Sequence, residues 1–94
     1  MPITGNHVFG KDGCPHCIHA TDALKKSGVK YQYHDVIKKT HALYAMLARV
    51  KPMIGDKVPV TVPQIWLEGR YVGGADALKK YLLNLLLVYS PVLF

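Results

Sequence analysis

Hydrophobic and polar positions divide the chain into seven short elements. His7-Val8-Phe9-Gly10 is a β-prone run stopped by glycine, and the polar Lys11-Asp12-Gly13 that follows is a loop. From Pro15 to Ser27 the apolar residues Ile18, Ala20, Ala23 and Leu24 group toward one side at helical spacing, with Gly28 as the C-terminal stop. Tyr31 to Val36 carries aromatics at alternate positions and predicts a second strand. Because a helical crossover leads to it, that strand is predicted to run parallel to the first. Thr40 is placed to cap a helix through about Val50, with Leu43, Met46, Leu47 and Val50 on one face, and Pro52 is predicted to end it. Residues 51–62 are predicted to be loop. Pro63 to Leu67 and Arg70 to Val72 then flank the turn dipeptide Glu68-Gly69, an antiparallel hairpin. After Gly73-Gly74 a last helix opens around Ala75-Asp76 and ends near Tyr89.

The order is βαβαββα: one parallel crossover followed by a hairpin, which builds a four-stranded mixed sheet flanked by helices, the α/β order of the thioredoxin fold. A chain of 94 residues supports one core, so residues 1–94 are read as a single domain, with its body at about 7–88 and an apolar tail at 89–94. The segment from Tyr81 to Phe94 is interrupted by Asn84 and Ser90-Pro91 and falls short of the ~20 residues that span a bilayer. No membrane role is expected of it. The residues after about Val88 are expected to bury against the body or another subunit of an otherwise monomeric protein.

Twelve Lys and Arg against six acidic residues give a formal charge of +6. Such a balance suits a carboxylate-bearing peptide, an acidic partner or nucleic acid, and solubility alone is the plainer reading. The lysines are scattered as Lys25-Lys26, Lys38-Lys39 and Lys79-Lys80, without the basic stripe or stacking motifs of nucleic-acid modules, so no nucleic-acid partner is expected. Residues 1–13 lack the apolar stretch and cleavage site of a secretory signal, which points to the cytoplasm. In a reducing compartment two cysteines are catalytic or metal-binding rather than a structural staple.

Those two cysteines are Cys14 and Cys17 of the tetrapeptide Cys-Pro-His-Cys. Pro15 belongs in a first helical turn, which puts Cys14 at the N-cap and Cys17 one turn in. Disulfide exchange needs a thiolate, and an ordinary cysteine, with pKa near ~8.5, is mostly protonated at neutral pH. At the N-cap the Cys14 sulfur can accept hydrogen bonds from the N–H groups of His16 and Cys17 and sits at the positive end of the helix dipole. Lys11 adds a cation, and His16 can donate a hydrogen bond or carry charge below about ~6.5. Cys17, inside the turn, should be less exposed and keep a higher pKa, so Cys14 attacks and Cys17 resolves.

The same motif, with His16 and His19 near, is open to a zinc reading, although structural zinc asks for four protein ligands and no second pair is spaced to supply them. Two buried, inert cysteines are the remaining alternative. His7, His34 and His41 read as polar surface or strand-edge residues, and Trp66 as packing in the hairpin.

Three motifs in order resemble the glutaredoxin family over about His7 to Leu82: Phe9 to Cys17 around the dithiol, Thr61-Val62-Pro63-Gln64-Ile65, and Gly73-Gly74-Ala75-Asp76. The resemblance implies a glutathione-dependent oxidoreductase that reduces protein disulfides and glutathione mixed disulfides, with glutathione as co-substrate and no tightly bound cofactor or metal. It implies a cis Pro63 facing the sulfurs. Thr61 and Val62 are expected to pair with the tripeptide as an added strand would, through the Val62 N–H and C=O. Gly74, Ala75 and Asp76 would receive its γ-glutamyl end at a helix N-terminus, while Lys11 and Lys57 would hold its glycyl carboxylate. Disulfide-bonded or glutathionylated proteins, ribonucleotide reductase among them, are the implied partners. Two positions depart from the pattern: His16 stands where tyrosine is usual, giving the tetrapeptide of the DsbA-type oxidants, and Ala75 replaces a bulkier or hydroxyl-bearing residue. Some relatives bridge an iron–sulfur cluster through the first cysteine and glutathione, so a metal- or cluster-binding thiol module is the alternative function; Pro15 goes with the redox type.

Overall fold

The strand His7–Gly10 (β1) is the hub of the sheet, because Val8 and Phe9 point to opposite faces and both are buried. A computed structural model gives the architecture; it describes residues 4–89, with side chains through residue 84. The elements run β1, α1 (Pro15–Lys26), β2 (Gln32–Asp35), α2 (Thr40–Ile54), β3 (Gln64–Leu67), β4 (Arg70–Gly73) and α3 (Ala75–Tyr89). The sheet order is β2-β1-β3-β4. β1 is parallel to β2, with Val8 opposite Tyr33 and Phe9 opposite His34, and antiparallel to β3, with Val8 opposite Ile65. β3 pairs antiparallel with β4. The predicted thioredoxin fold, a four-stranded mixed sheet in βαβαββα order, is the fold observed.

Strand alternation divides the core between two faces. Val8, Ile65 and Leu67 meet Ala20 and Leu24 of α1 and Leu78 of α3 on one side. Phe9 and Trp66 meet Val36 and α2, through Ala42, Met46 and Val50, on the other. The Glu68-Gly69 turn has both central residues at positive φ, 52° and 78°, the type I′ geometry that matches strand twist. Gly28, at φ 73°, ends α1: its N–H reaches the Lys25 carbonyl and that of Val29 reaches Leu24, a Schellman closure.

The second helix differs from its predicted form at both ends. Lys39, not Thr40, is the N-cap, without a side-chain cap, and the turn before it is held by the Asp35 carboxylate, which accepts the N–H groups of Ile37 and Lys38 at 2.9 Å each. Pro52 does not end α2 but lies inside it. The bond that Pro52 cannot donate would go to the carbonyl of Ala48, an exposed residue, so the loss falls on the solvent side while buried Val50 and half-buried Ile54 extend the apolar face past the proline. Gly55, at φ 90°, closes the helix by donating to the Lys51 carbonyl at 2.8 Å. The tail at 89–94 lies outside the described side chains. No described helix is long and apolar enough to cross a membrane.

Candidate active site

The sequence from Gly10 to Cys17 turns β1 directly into α1. Cys14 has the extended N-cap backbone, φ −89° and ψ 114°, and Pro15 opens the helix where its missing N–H costs nothing. Both cysteines are free thiols, Cys14 8% exposed and Cys17 2%. Contrary to expectation, the Cys14 sulfur makes no complete cap hydrogen bond to the helix N–H groups. It lies instead against the Val62 carbonyl, a long contact of 4.0 Å, and feels the amides electrostatically.

The two sulfurs nevertheless titrate in opposite directions. Burial alone would raise the Cys14 pKa, but hydrogen bonding from the Cys17 thiol, the pull of the Cys17 and His16 N–H groups, which falls short of a full cap bond, and the Lys11 charge together bring it below the ordinary value. Cys17 is pushed up to about 11, first by burial and then by the loss of the thiol hydrogen bond to Cys14 when it ionises; a nearby Cys14 thiolate raises it further.

Across from the dithiol, the Val62–Pro63 peptide bond is cis. His16, Thr61, Val62, Pro63, Ala75 and Asp76 line one hollow of about 290 Å3, so three stretches far apart in sequence meet at the Cys14 end of the sheet. Gly74 closes against the Pro63 carbonyl, 3.6 Å from where its Cβ would be, and caps α3 by accepting the Leu78 N–H. The N–H groups of Ala75 and Asp76, two residues that line this hollow, precede the first intrahelical bond. Lys11 lines a different hollow, on the Cys17 side, and Lys57 is exposed in the loop and lines neither. Among the described residues no group of three or more His, Cys, Asp or Glu is placed to hold a metal ion.

Two features escaped the sequence reading. Gln64, the buried polar side chain among the described residues, donates from Nε2 to the Thr61 carbonyl at 2.7 Å and accepts from the Tyr71 hydroxyl, tying the groove loop to β4. Tyr33 stands beside Cys17, and its pKa is pushed up to about 12 by burial and by the neighbouring Cys17 and Asp35 charges. The aromatic alternation in β2 marked Tyr33 as a strand residue, but nothing local showed which helix it would meet.

Comparison with known proteins places this geometry. The family profile described as Glutaredoxin matches residues 7–72. A Vibrio cholerae glutaredoxin is 32% identical over 79 residues, covering 79% of this chain and 85% of the relative. Glutaredoxin 1 of Salmonella typhimurium is 33% identical over 86 residues, covering 83% and 93%. The fold is similar to that of a buckwheat glutaredoxin solved as a glutathione complex, with TM-score 0.71 and 24% identity over 90% of this chain and 74% of the other. With the Cys14–Cys17 pair at the mouth of α1 of a thioredoxin-type sheet, the chain belongs to the glutaredoxin family and is a thiol–disulfide oxidoreductase.

Proposed function

We propose that this single domain is a dithiol glutaredoxin that uses glutathione to reduce protein disulfides and glutathione mixed disulfides, with Cys14 as nucleophile and Cys17 as the resolving thiol. The observation that carries this reading is the opposite displacement of the two thiols: one below the ordinary range at a helix mouth, the other raised to about 11 and packed away. Ionisation is therefore favoured at Cys14 and disfavoured at Cys17.

The Cys14 thiolate attacks one sulfur of the substrate disulfide, forming a mixed disulfide while the other substrate sulfur leaves with the electron pair and takes a proton. Two exits follow. Cys17, after losing its proton, attacks Cys14 and releases the reduced substrate, leaving a Cys14–Cys17 disulfide that two glutathione molecules reduce in turn. Alternatively a glutathione thiolate resolves the adduct directly. Pro15 fixes the first helical turn, and His16 forms the rim beside Cys14.

Glutathione lies in the hollow of Thr61, Val62 and Pro63, pairing with the Val62 backbone as an added strand. Its γ-glutamyl carboxylate takes the free N–H groups at Gly74, Ala75 and Asp76, and the Asp76 carboxylate takes its ammonium. Lys11 and Lys57 supply positive charge for the glycyl end. That buckwheat glutaredoxin was solved with glutathione supports this use of the fold. Glutathionylated and disulfide-bonded cytoplasmic proteins, ribonucleotide reductase among them, are the partners.

The test compares Cys14→Ser with Cys17→Ser on a glutathionylated peptide and on a protein disulfide. Cys14→Ser is expected to abolish both activities. Cys17→Ser is expected to keep the first and lose most of the second; full activity in Cys14→Ser would overturn the assignment.

A further inference from the structure

Gly10 ends the central strand, and a Cβ placed on it would lie 2.7 Å from the Tyr33 hydroxyl and 3.0 Å from the Cys17 sulfur. The two atoms thus converge over one glycine, whose missing side chain gives them room to approach. The Tyr33 hydroxyl has no hydrogen-bond partner among the described residues, so its proton is free to be donated. Tyr33 and Cys17 also line a common hollow of about 260 Å3, with Lys11, Asp12, Gly13 and Tyr31, which shares no residue with the groove of Thr61, Val62 and Pro63. Cys17 therefore borders a hollow separate from the groove of Thr61, Val62 and Pro63, with Lys11 alone common to that hollow and the proposed glutathione site.

Resting on the reading of Cys17 as the resolving thiol, we propose that Tyr33 is a positioning residue for the second step, its hydroxyl donating a hydrogen bond to the Cys17 sulfur as that sulfur becomes a thiolate. Cys17 gives its proton to water in the hollow and attacks the Cys14 sulfur. The Cys14–Cys17 bond forms, and the bond from Cys14 to the substrate sulfur breaks. That sulfur leaves with the electron pair and takes a proton from solvent, so the two cysteines are oxidised and the substrate is reduced. The phenol keeps its own proton throughout, as its raised pKa ensures. The other charged groups around the pair are Lys11 and Asp12 of the loop, Lys25 of α1, Asp35 of β2 and the Cys14 sulfur itself. Lys38 holds Asp12 in an ion pair of 2.7 Å, which leaves Lys11 as the uncompensated charge of the loop.

The experiment starts from the full chain carrying glutathione in a mixed disulfide on Cys14 and follows glutathione release from neutral to alkaline pH. Tyr33→Phe keeps the ring and removes only the donor. It is expected to slow release about tenfold at neutral pH, the effect of one hydrogen bond to a charged group. It is also expected to move the rise of the rate to higher pH while leaving the alkaline plateau intact. In a Cys14→Ser chain the titration of Cys17, read by the carbon-NMR shift of its Cβ, should move upward with the same substitution. An unmoved titration, or a lowered plateau at an unchanged midpoint, overturns the role of Tyr33. The Cys17→Ser mixed disulfide separates the two claims: release at the native rate there would mean that Cys17 does not resolve, whatever Tyr33 does.

Discussion

Replacing Tyr71 with Phe should loosen the groove loop from a distance, through a single buried amide. Gln64 is 6% exposed, with its Nε2 on the Thr61 carbonyl and its Oε1 taking the Tyr71 proton. Tyr71→Phe leaves that oxygen buried without a donor, an omission that costs about 1–2 kcal/mol once the loss of the half-buried hydroxyl itself is allowed for. At this chain length the fall in Tm is roughly 5–15 °C. Gln64→Leu should be destabilising as well, because it strands the hydroxyl and the Thr61 carbonyl, but Gln64→Leu/Tyr71→Phe removes both inner groups together. The double variant is therefore expected to lose about 1 kcal/mol less than the two single losses combined. Urea denaturation of the four chains measures this coupling, and KM for a glutathionylated peptide, rising in all three variants, reads the effect on Thr61. Strict additivity of the denaturation free energies would refute the argument that Gln64 and Tyr71 act as one unit.

Two further outcomes concern titration. His34 is held below the ordinary histidine pKa, first by burial and then by His7, Lys39 and His41. The unfolded chain thus binds its proton more readily, so stability is complete above about pH 6.5 and is lost as pH falls below it. His34→Phe should flatten that loss, seen as a smaller change in urea midpoint between neutral and mildly acidic pH; an unchanged slope would place the acid sensitivity elsewhere. Lys11→Ala removes a charge that favours the Cys14 thiolate, so the midpoint of Cys14 alkylation against pH should move upward from its position below ordinary cysteine. No movement would show that the helix mouth and the neighbouring thiol suffice.

The pairing of the two rings His7 and His34 shows why some of this was not legible in the chain. Read along the sequence they are strand-edge histidines; in the sheet the Nδ1 of His7 lies 2.9 Å from the Nε2 of His34, and both stack in a row ending on Phe9, which meets Trp66 edge-on as Trp66 in turn meets a tilted Tyr71. The Thr4 carbonyl, 2.6 Å from the His7 Nε2, can only accept, so the neutral pair has His34 donating to His7. Strand register creates this contact, and register is a property of two segments 27 residues apart. The dithiol, the hairpin turn and the helix stops were legible because each is decided within a few residues, by a cap, a positive φ or a proline. Pro52 misled for the converse reason: the local rule that ends a helix gave way to an apolar face that continues to Ile54.

The inequality of the two thiols follows from their places on one helical turn, which bury Cys17 and make its thiol the donor to Cys14, with the Lys11 charge adding to it. Cys14 occupies the N-cap, where amides point outward and no turn lies above it, and Cys17 occupies the first turn, facing Gly10 of the central strand. Exchanging the residue between them, as His16 does, changes neither place. What His16 does alter is the rim, for it lines both the hollow of Thr61, Val62 and Pro63 and a second one of about 340 Å3 between α1 and α3, floored by Ala20, Ala23 and Leu78. The division between attacking and resolving sulfur is accordingly a consequence of where the helix begins. The identity of residue 16 bears instead on what meets Cys14 at that rim.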